Sequence, residues 1–206
     1  MDNQTTTAEV KKHKLGLNLP TDPRWAHAAE KSIHEILTDH AYCEQKAATT
    51  CISLIVQYPD YPFLADELSP IVTEEWGHFR MVLNALKKRG LQLGSMRKDL
   101  YVNELMKYKR KGVSRAEQLV DKLLLAALIE ARSCERFRLL SKAVKEEELS
   151  KFYHDLMVAE AGHYRLFIDL AQKVGEKEAV RSRWEEWLTI EADIMSRLAP
   201  DGSRMH

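Results

Sequence analysis

Two similar hexapeptides, Glu75-Trp-Gly-His-Phe-Arg80 and Glu160-Ala-Gly-His-Tyr-Arg165, lie 85 residues apart in the chain. Both read Glu-x-Gly-His-aromatic-Arg, and both lie near the middle of a segment with helical periodicity. A Glu and a His three positions apart share one helix face and can reach one metal ion. A single Glu-x-x-His is common by chance, but the shared Gly, aromatic residue and Arg indicate a repeated metal-binding motif.

The residues around each hexapeptide place its Glu and His on the apolar face of the helix. That face carries Ile71, Val72, Val82 and Leu86 in the first helix and Leu156, Met157, Phe167 and Leu170 in the second. An ionised carboxylate in such a core costs several kcal/mol unless a cation or strong hydrogen bonds compensate it. The inward carboxylates therefore need a partner, either a metal ion or, as the simpler alternative, hydrogen bonds within the core.

Two further carboxylates, Glu44 and Glu130, occupy inward positions of other predicted helices. Glu44 precedes Glu75 by 31 residues and Glu130 precedes Glu160 by 30, so the chain resembles a twofold repeat of one helical hairpin. Carboxylate and imidazole ligands from four helices are typical of di-iron or di-manganese sites. The predicted metal ligands are Glu44, Glu75, His78, Glu130, Glu160 and His163.

Two neighbouring acids are excluded from this set. Glu74 lies four residues before His78, but Ala159 occupies the matching place in the second hexapeptide. Glu135 follows Glu130 by five residues, which places it about 140° away from the metal-facing side of its helix.

The helical periodicity predicts five substantial helices and no strand. They cover residues 23–57, a second helix that ends at Gly90 and begins near either Phe63 or Ser69, then about 114–144, 146–174 and 176–198. Ser114 to Glu117 has the form of a capping box, and a short helix is expected around residues 98–109. Two antiparallel hairpins and a long crossover predict an all-α, ferritin-like four-helix bundle with an additional C-terminal helix. We expect residues 1–206 to form one domain, with residues 1–14 and 200–206 as flexible ends.

Composition narrows the class of protein. The chain carries 31 Lys and Arg against 31 Asp and Glu, and 45% of its residues are hydrophobic, as in a soluble globular protein. It has neither an apolar run of membrane-spanning length nor the apolar segment of a signal peptide, so we expect a cytoplasmic protein without a membrane partner. Three cysteines form neither a disulfide framework nor a zinc motif and are expected to be small buried hydrophobic residues.

Although basic and acidic residues are equal in number over the whole chain, the segment between residues 87 and 115 is basic, and only Asp99 and Glu104 in it are acidic. Such a segment, with Tyr101 and Tyr108 interleaved, could bind nucleic-acid phosphates and stack a base, or it could be a solvated helix end. The candidate phosphate-binding residues are Lys87, Lys88, Arg89, Arg97, Lys98, Lys107, Lys109, Arg110, Lys111 and Arg115.

Other residues near the predicted ligands allow two interpretations. His40 lies one turn before Glu44 and is either a hydrogen-bond partner of a metal ligand or a core histidine bonded to backbone. Arg80 and Arg165 follow the ligand histidines and either bond a ligand carboxylate or are solvated. We expect Trp76 and the C-terminal tryptophans to serve packing.

With these residues in view, the sequence resembles the MiaE family of bacterial tRNA hydroxylases over about residues 15–198. The ligand set alone is typical of the ferritin-like superfamily, whereas the segment around Glu130 points to this family. The resemblance rests on Asp39-His-Ala-Tyr-Cys-Glu44, Glu75-Trp-Gly-His78, Leu128-Ile-Glu-Ala-Arg-Ser-Cys-Glu-Arg-Phe137 and Ala159-Glu-Ala-Gly-His163.

The resemblance implies a non-haem di-iron monooxygenase that hydroxylates the isopentenyl group of 2-methylthio-N6-isopentenyladenosine beside the tRNA anticodon. It further implies two iron ions held by the six predicted ligands, O2 as co-substrate, and an external electron donor such as a ferredoxin or reductase system. The basic segment is then expected to bind the phosphates of the anticodon loop.

Three other functions are compatible with parts of the sequence. A ferritin-like or rubrerythrin-like iron oxidase or peroxidase needs the same ligands, but the absence of a Cys-x-x-Cys pair counts against a rubredoxin module. A metal-free helical RNA-binding protein explains the basic segment but leaves the inward carboxylates without a cation. A manganese catalase-like activity uses a similar ligand set.

Overall fold

The computed structural model describes residues 15–198 and 201–205, which form seven helices and no strand. The helices are α1 (Arg24–Lys31), α2 (Ile33–Gln57), α3 (Phe63–Lys88), α4 (Leu100–Met106), α5 (Arg115–Ala143), α6 (Glu147–Val174) and α7 (Lys177–Arg197). None of these helices combines the length and apolar character that crossing a membrane requires.

The four long helices form two antiparallel hairpins. α2 packs along α3 and α5 packs along α6, so each hairpin joins one hexapeptide-bearing helix to a helix with a single inward Glu. The long crossover between α3 and α5 contains α4, which packs against α7. This arrangement is the all-α, ferritin-like bundle with an additional C-terminal helix that the sequence predicts.

The apolar core of the bundle consists of two clusters with a polar layer between them. On α3, Ile71 belongs to the first cluster and Val82 to the second, and Glu75 lies between them. On α6 the order is reversed, with Leu156 in the second cluster and Phe167 in the first. The antiparallel helices therefore bring their acidic residues to one level of the bundle.

Local sequence signals account for several helix ends. The Ser114 side chain accepts from the backbone N–H of Glu117, whose carboxylate accepts from the Ser114 backbone N–H, so the predicted capping box is confirmed. Gly90 has a φ of +67°, a conformation that favours glycine, and the Leu91 N–H donates to the Leu86 carbonyl across it. The predicted glycine cap of the second helix is therefore also confirmed.

The prediction of one continuous helix over residues 23–57 was wrong. The backbone leaves the helical region at Ser32, with φ −117° and ψ 39°, and the chain divides into α1 and α2. α1 packs against α5 and buries Trp25 and Ala29 there, which a straight continuation of α2 would not allow. The open choice for the next helix is settled, because α3 begins at Phe63 and contains Pro70.

The C-terminal residues Asp201–Met205 are anchored to the bundle. The Trp25 indole N–H donates to the carbonyls of Asp201 and Arg204, and the Met205 N–H donates to Asp39 at 2.7 Å. The Met205 side chain is fully buried. This differs from the flexible end expected at residues 200–206, while residues 1–14, 199, 200 and 206 lie outside the described residues.

Candidate metal centre

The structure brings all six predicted ligands together in the polar layer. Their donor atoms form two groups, and the atoms of each group lie within 4.8 Å of one another. One group is Glu44, Glu75, His78 and Glu160, and the other is Glu75, Glu130, Glu160 and His163. Glu75 and Glu160 belong to both groups, so the cluster has the composition of two adjacent metal sites that share two carboxylates.

Each histidine of the cluster lies close to both shared carboxylates. The Nδ1 atom of His163 is 2.7 Å from Glu75 Oε1 and 3.2 Å from Glu160 Oε2. The Nδ1 atom of His78 is 3.7 Å from Glu75 and 3.6 Å from both Glu160 and Glu44. The three-residue spacing within each hexapeptide therefore aims Glu and His at one point, as expected from helix geometry.

Several donor atoms of this cluster need a cation. Both carboxylate oxygens of Glu75, Oε1 of Glu160 and Nδ1 of His78 are buried, and within the described part of the chain no partner meets them in hydrogen-bonding geometry. A buried polar atom without a partner costs about 1–3 kcal/mol. Oxygen and imidazole donors in this number suit iron or manganese, so the residues fit a pair of divalent metal ions.

The electrostatics of the cluster lead to the same conclusion. Burial raises the pKa of Glu44 well above its usual value, and the charges of Glu75 and Glu160 add to the effect. Burial likewise raises the pKa of Glu130, with Glu160 and Glu75 contributing. Burial opposes the charged form of His163, but the adjacent carboxylates of Glu160 and Glu75 raise its pKa to about 11. Four carboxylates this close together cannot all ionise unless positive charge compensates them.

His40 bonds a predicted ligand, as one of its two interpretations proposes. Its Nε2 atom lies 2.5 Å from Glu44 Oε1, and the imidazole is fully buried. The ring stacks on Tyr153 at 5.7 Å and lies 4.8 Å from the ring of Phe137. The aromatic rings fix the imidazole, and the imidazole in turn fixes the Glu44 carboxylate.

Glu74, which the sequence excludes as a ligand, contacts the cluster from outside. Its Oε2 atom lies 2.9 Å from Nε2 of His163, on the opposite side of the ring from Nδ1. The Glu74 side chain is 54% exposed, whereas that of Glu75 is 1% exposed. Glu74 is thus placed to orient His163. The only sequence signal for this role was its position beside Glu75, because the contact crosses from α3 to α6.

The other neighbours of the hexapeptides lie away from the donor atoms. Arg80 and Arg165 are exposed, which matches the solvated interpretation. Glu135 binds Thr21 and Arg132 in a separate buried network. Trp76 stacks on its helical neighbour Phe79 but remains 48% exposed, so it packs less completely than expected.

Two of the cysteines behave as the small hydrophobic residues that the sequence predicts. Cys51 and Cys134 are buried and free, and burial raises the pKa of their thiols to about 12 and about 11. Cys43 is also a reduced thiol, but it is only half-buried.

Most of the basic segment is compensated by acids. Lys88 pairs with Glu148, Arg89 with Glu146, Arg97 with Asp39, Lys107 with Glu104, Arg110 with Asp121 and Glu117, and Arg115 with Asp60. The remaining four candidates, Lys87, Lys98, Lys109 and Lys111, have no hydrogen-bond or ion-pair partner among residues 15–198 and 201–205. Net charge along the sequence therefore overstates the positive field of this surface.

Comparisons with known proteins agree with this geometry. A family model described as tRNA-(MS[2]IO[6]A)-hydroxylase (MiaE) matches residues 8–206. The tRNA 2-(methylsulfanyl)-N(6)-isopentenyladenosine(37) hydroxylase of Pseudomonas putida is 38% identical over 161 residues, which are 78% of this chain and 77% of that protein. The hydroxylase of the same name from Salmonella typhimurium is 28% identical over 234 residues, covering 90% of this chain and 84% of the other.

A solved structure shares the fold. It is a protein with aldehyde deformylating oxygenase activity from Synechococcus, with a TM-score of 0.86 and 34% sequence identity. The match covers 92% of this chain and 94% of that protein.

Proposed function

The chain belongs to the MiaE family of tRNA hydroxylases, and from this we propose that it hydroxylates the isopentenyl group of 2-methylthio-N6-isopentenyladenosine in tRNA, with O2 as co-substrate. The observation that carries the proposal is the pair of ligand groups that share Glu75 and Glu160. Four carboxylates buried at one level of a helical core, together with two histidines, are the donor set of ferritin-like di-metal centres.

The six residues of the cluster would hold two iron ions. Glu44 and His78 would hold one ion and Glu130 and His163 the other, while Glu75 and Glu160 belong to both donor groups. When bound, the two ferrous ions supply the activation of O2, with two electrons from an external donor such as a ferredoxin or reductase system. A tRNA substrate supports a cytoplasmic location for this activity.

The protein itself orients the metal-binding side chains and limits the access of water. His40 holds Glu44 and Glu74 holds His163, so the donor atoms are oriented before substrate arrives. The apolar clusters on both sides of the polar layer border the reacting centre and limit the access of water from those sides. Basic residues of the crossover are available for the anticodon-loop phosphates.

The direct test uses reduced, iron-loaded protein, O2 and tRNA that carries the prenylated adenosine. After incubation, nucleoside mass spectrometry is expected to show the gain of one oxygen atom on that adenosine, and about two iron ions per chain are expected beforehand. Glu160→Ala is the matched variant and should lose both iron and product. Iron-loaded protein that leaves the prenylated adenosine unchanged would contradict the proposal.

A second candidate function follows from the structural relative. The Synechococcus protein has aldehyde deformylating oxygenase activity and shares 34% identity with this chain, so an aldehyde belongs in the same assay. Release of a one-carbon product from the aldehyde, with tRNA unchanged, would favour that reaction. Iron oxidation without either product would favour a ferritin-like oxidase, and tRNA binding without any iron would favour a metal-free RNA-binding protein.

A further inference from the structure

A cavity of about 810 Å³ opens between α2, α4 and α5 and extends to the metal cluster. Glu130, a predicted ligand that is only 6% exposed, lines it together with Ala126 of the same helix. The volume is within the range of sites that enclose a small-molecule ligand. A substrate group in this cavity would therefore lie beside the metal-binding carboxylates.

Three helices each turn one face toward this cavity. On α5 the lining residues include Lys122, Ala126 and Glu130, which recur at the four-residue spacing of one helix face. On α4 they include Val102 and Met106. The opposite face of α4 carries Tyr101 and Leu105, which are fully buried in the core and hold the helix in place over the cavity.

The walls combine polarisable apolar groups with hydrogen-bonding groups. Met96 and Met106 line the cavity and are 61% and 44% exposed. Asn103, Thr50 and Ser53 supply amide and hydroxyl groups. A purine with an apolar substituent fits this mixture, because thioethers pack well against aromatic rings.

Three lysines line the cavity, and because Lys46 pairs with Asp99 at 2.9 Å, Lys109 and Lys122 provide its uncompensated positive charge. Lys109 is half-buried and has no hydrogen-bond or ion-pair partner among the described residues, and burial together with the charge of Lys122 lowers its pKa. Lys122 donates to Gln57 Oε1 at 2.6 Å and lies over the Tyr58 ring. An ammonium group has three donors, so Lys122 keeps two for a ligand. An anion between these two lysines would relieve their mutual repulsion.

We infer that this cavity receives a single unstacked nucleotide, with its base and prenyl group directed toward Glu130 and its phosphodiester bound by Lys109 and Lys122. The inference rests on the proposed function and refines it. It assigns the decisive phosphate contact to two lysines, one of which lies outside the basic segment between residues 87 and 115. Single-stranded RNA loops offer splayed bases for this mode of recognition, in which phosphate contacts fix the register.

The first test compares two double variants that remove equal charge. Lys109→Ala with Lys122→Ala changes the cavity, whereas Lys142→Ala with Lys177→Ala removes two exposed lysines that neither line it nor belong to the basic segment. For a prenylated anticodon stem-loop RNA, the cavity variant should bind about tenfold more weakly and lower the salt slope of log affinity by about 0.7, the value for one phosphate contact. The control variant should stay within about twofold of the wild type.

A second test blocks the cavity without changing charge. Asn103→Trp fills it from an exposed position on α4, and Asn84→Trp adds the same side chain at an exposed position on α3. Asn103→Trp should lower kcat/KM for the RNA by about tenfold or more at unchanged iron content and unfolding midpoint, because the reacting group is displaced. Asn84→Trp should leave kcat/KM unchanged.

The outcomes separate this inference from the proposed function. If the wild type hydroxylates the RNA while both the cavity double variant and Asn103→Trp behave as wild type, the cavity assignment is wrong and the function stands. If the wild type neither binds nor hydroxylates the RNA, both are overturned. Equal loss of affinity in the two double variants would show a diffuse basic surface instead of a cavity site.

Discussion

At the scale of single residues, Glu75 and Glu160 are the centre of the site because each belongs to both ligand groups. Their inward positions were predictable because the spacing to His78 and His163 fixes a helix face, and the apolar neighbours show that this face is inward. The role of Glu74 was not predictable, since its contact with His163 depends on how α3 lies against α6. Sequence spacing gives geometry within a helix but not between helices.

The contact between Glu74 and His163 leads to a prediction about metal affinity. Glu74→Ala removes the acceptor on Nε2 of His163, so iron affinity should fall by about tenfold while the fold is retained. Glu67→Ala removes an exposed carboxylate from the same helix and is the control. Iron titration followed by absorption spectroscopy measures both, and equal affinity in the two variants would argue against an orienting role for Glu74.

At the scale of helices and connections, the helix ends that are set by local hydrogen bonds or by a local backbone conformation were predictable. Ser114, Glu117 and Gly90 act through local hydrogen bonds and a local backbone conformation, which short sequence signals encode. The break at Ser32 has no proline or glycine beside it and results from the packing of α1 on α5. The partners of the basic segment were also missed, because acids distant in sequence supply them.

The shared glycines of the hexapeptides allow a test at this scale. A Cβ atom added at Gly77 or Gly162 would meet no heavy atom within 4 Å in the described structure. Glycine in a helix interior costs about 0.5–1 kcal/mol relative to alanine, so Gly77→Ala and Gly162→Ala should each raise the free energy of unfolding by that amount. Urea unfolding of the metal-free protein measures the change. Destabilisation by either variant would reveal a steric requirement for glycine.

Asp121 of α5 binds both α7 and the crossover that precedes α5, and these contacts should make the stability of the protein depend on pH. Asp121 is 1% exposed and accepts from Arg183 at 2.8 Å and from the Arg110 backbone at 2.8 Å. Burial opposes its ionisation, but the hydrogen bonds of Arg183 and Arg110 lower the pKa of Asp121 below its usual value. Asp121→Asn should therefore destabilise the protein by about 3 kcal/mol at neutral pH.

The sign of the pH dependence follows from this lowered pKa. The carboxylate of Asp121 contributes its full stabilisation above the unfolded-state pKa of about 3.9 and loses it as the pH falls toward the folded-state pKa. The stability difference between wild type and Asp121→Asn should be constant above about pH 5 and shrink below about pH 4. Unfolding by urea at a series of pH values checks this, and a difference that grows on acidification would contradict it.

At the scale of the whole molecule, the segment around Glu130 that points to the family, residues 128–137, mainly stabilises the fold. Only Glu130 in it belongs to the metal cluster. Arg132 binds Glu191 of α7, and Arg136 donates to the carbonyls of Arg204 and Met205. The segment thus joins the C-terminal helix and the C-terminal residues to the bundle. The all-α class, the hairpin order and the six converging residues were predictable, whereas this buried network was not, because its partners are far apart in sequence.

The anchored C-terminal residues give a prediction about overall stability. Met205 is fully buried in the apolar cluster that includes Trp25, so Met205→Ala should lower the free energy of unfolding by about 2–3 kcal/mol. Met81→Ala truncates a methionine that is 42% exposed and should cost much less. Equal effects of the two substitutions in urea unfolding would show that the C-terminal residues do not contribute to the core.

The central claim is that this bundle transfers an oxygen atom from O2 to the prenyl group of a tRNA nucleoside at the cluster that contains Glu75 and Glu160. The most direct measurement supplies the reduced, iron-loaded enzyme with prenylated tRNA and with O2 made from the heavy oxygen isotope, followed by mass spectrometry of the nucleosides. We predict one heavy oxygen atom in the side chain of the modified adenosine, with none in the Glu160→Ala variant. A nucleoside that gains no oxygen, or gains it equally in that variant, would contradict the account.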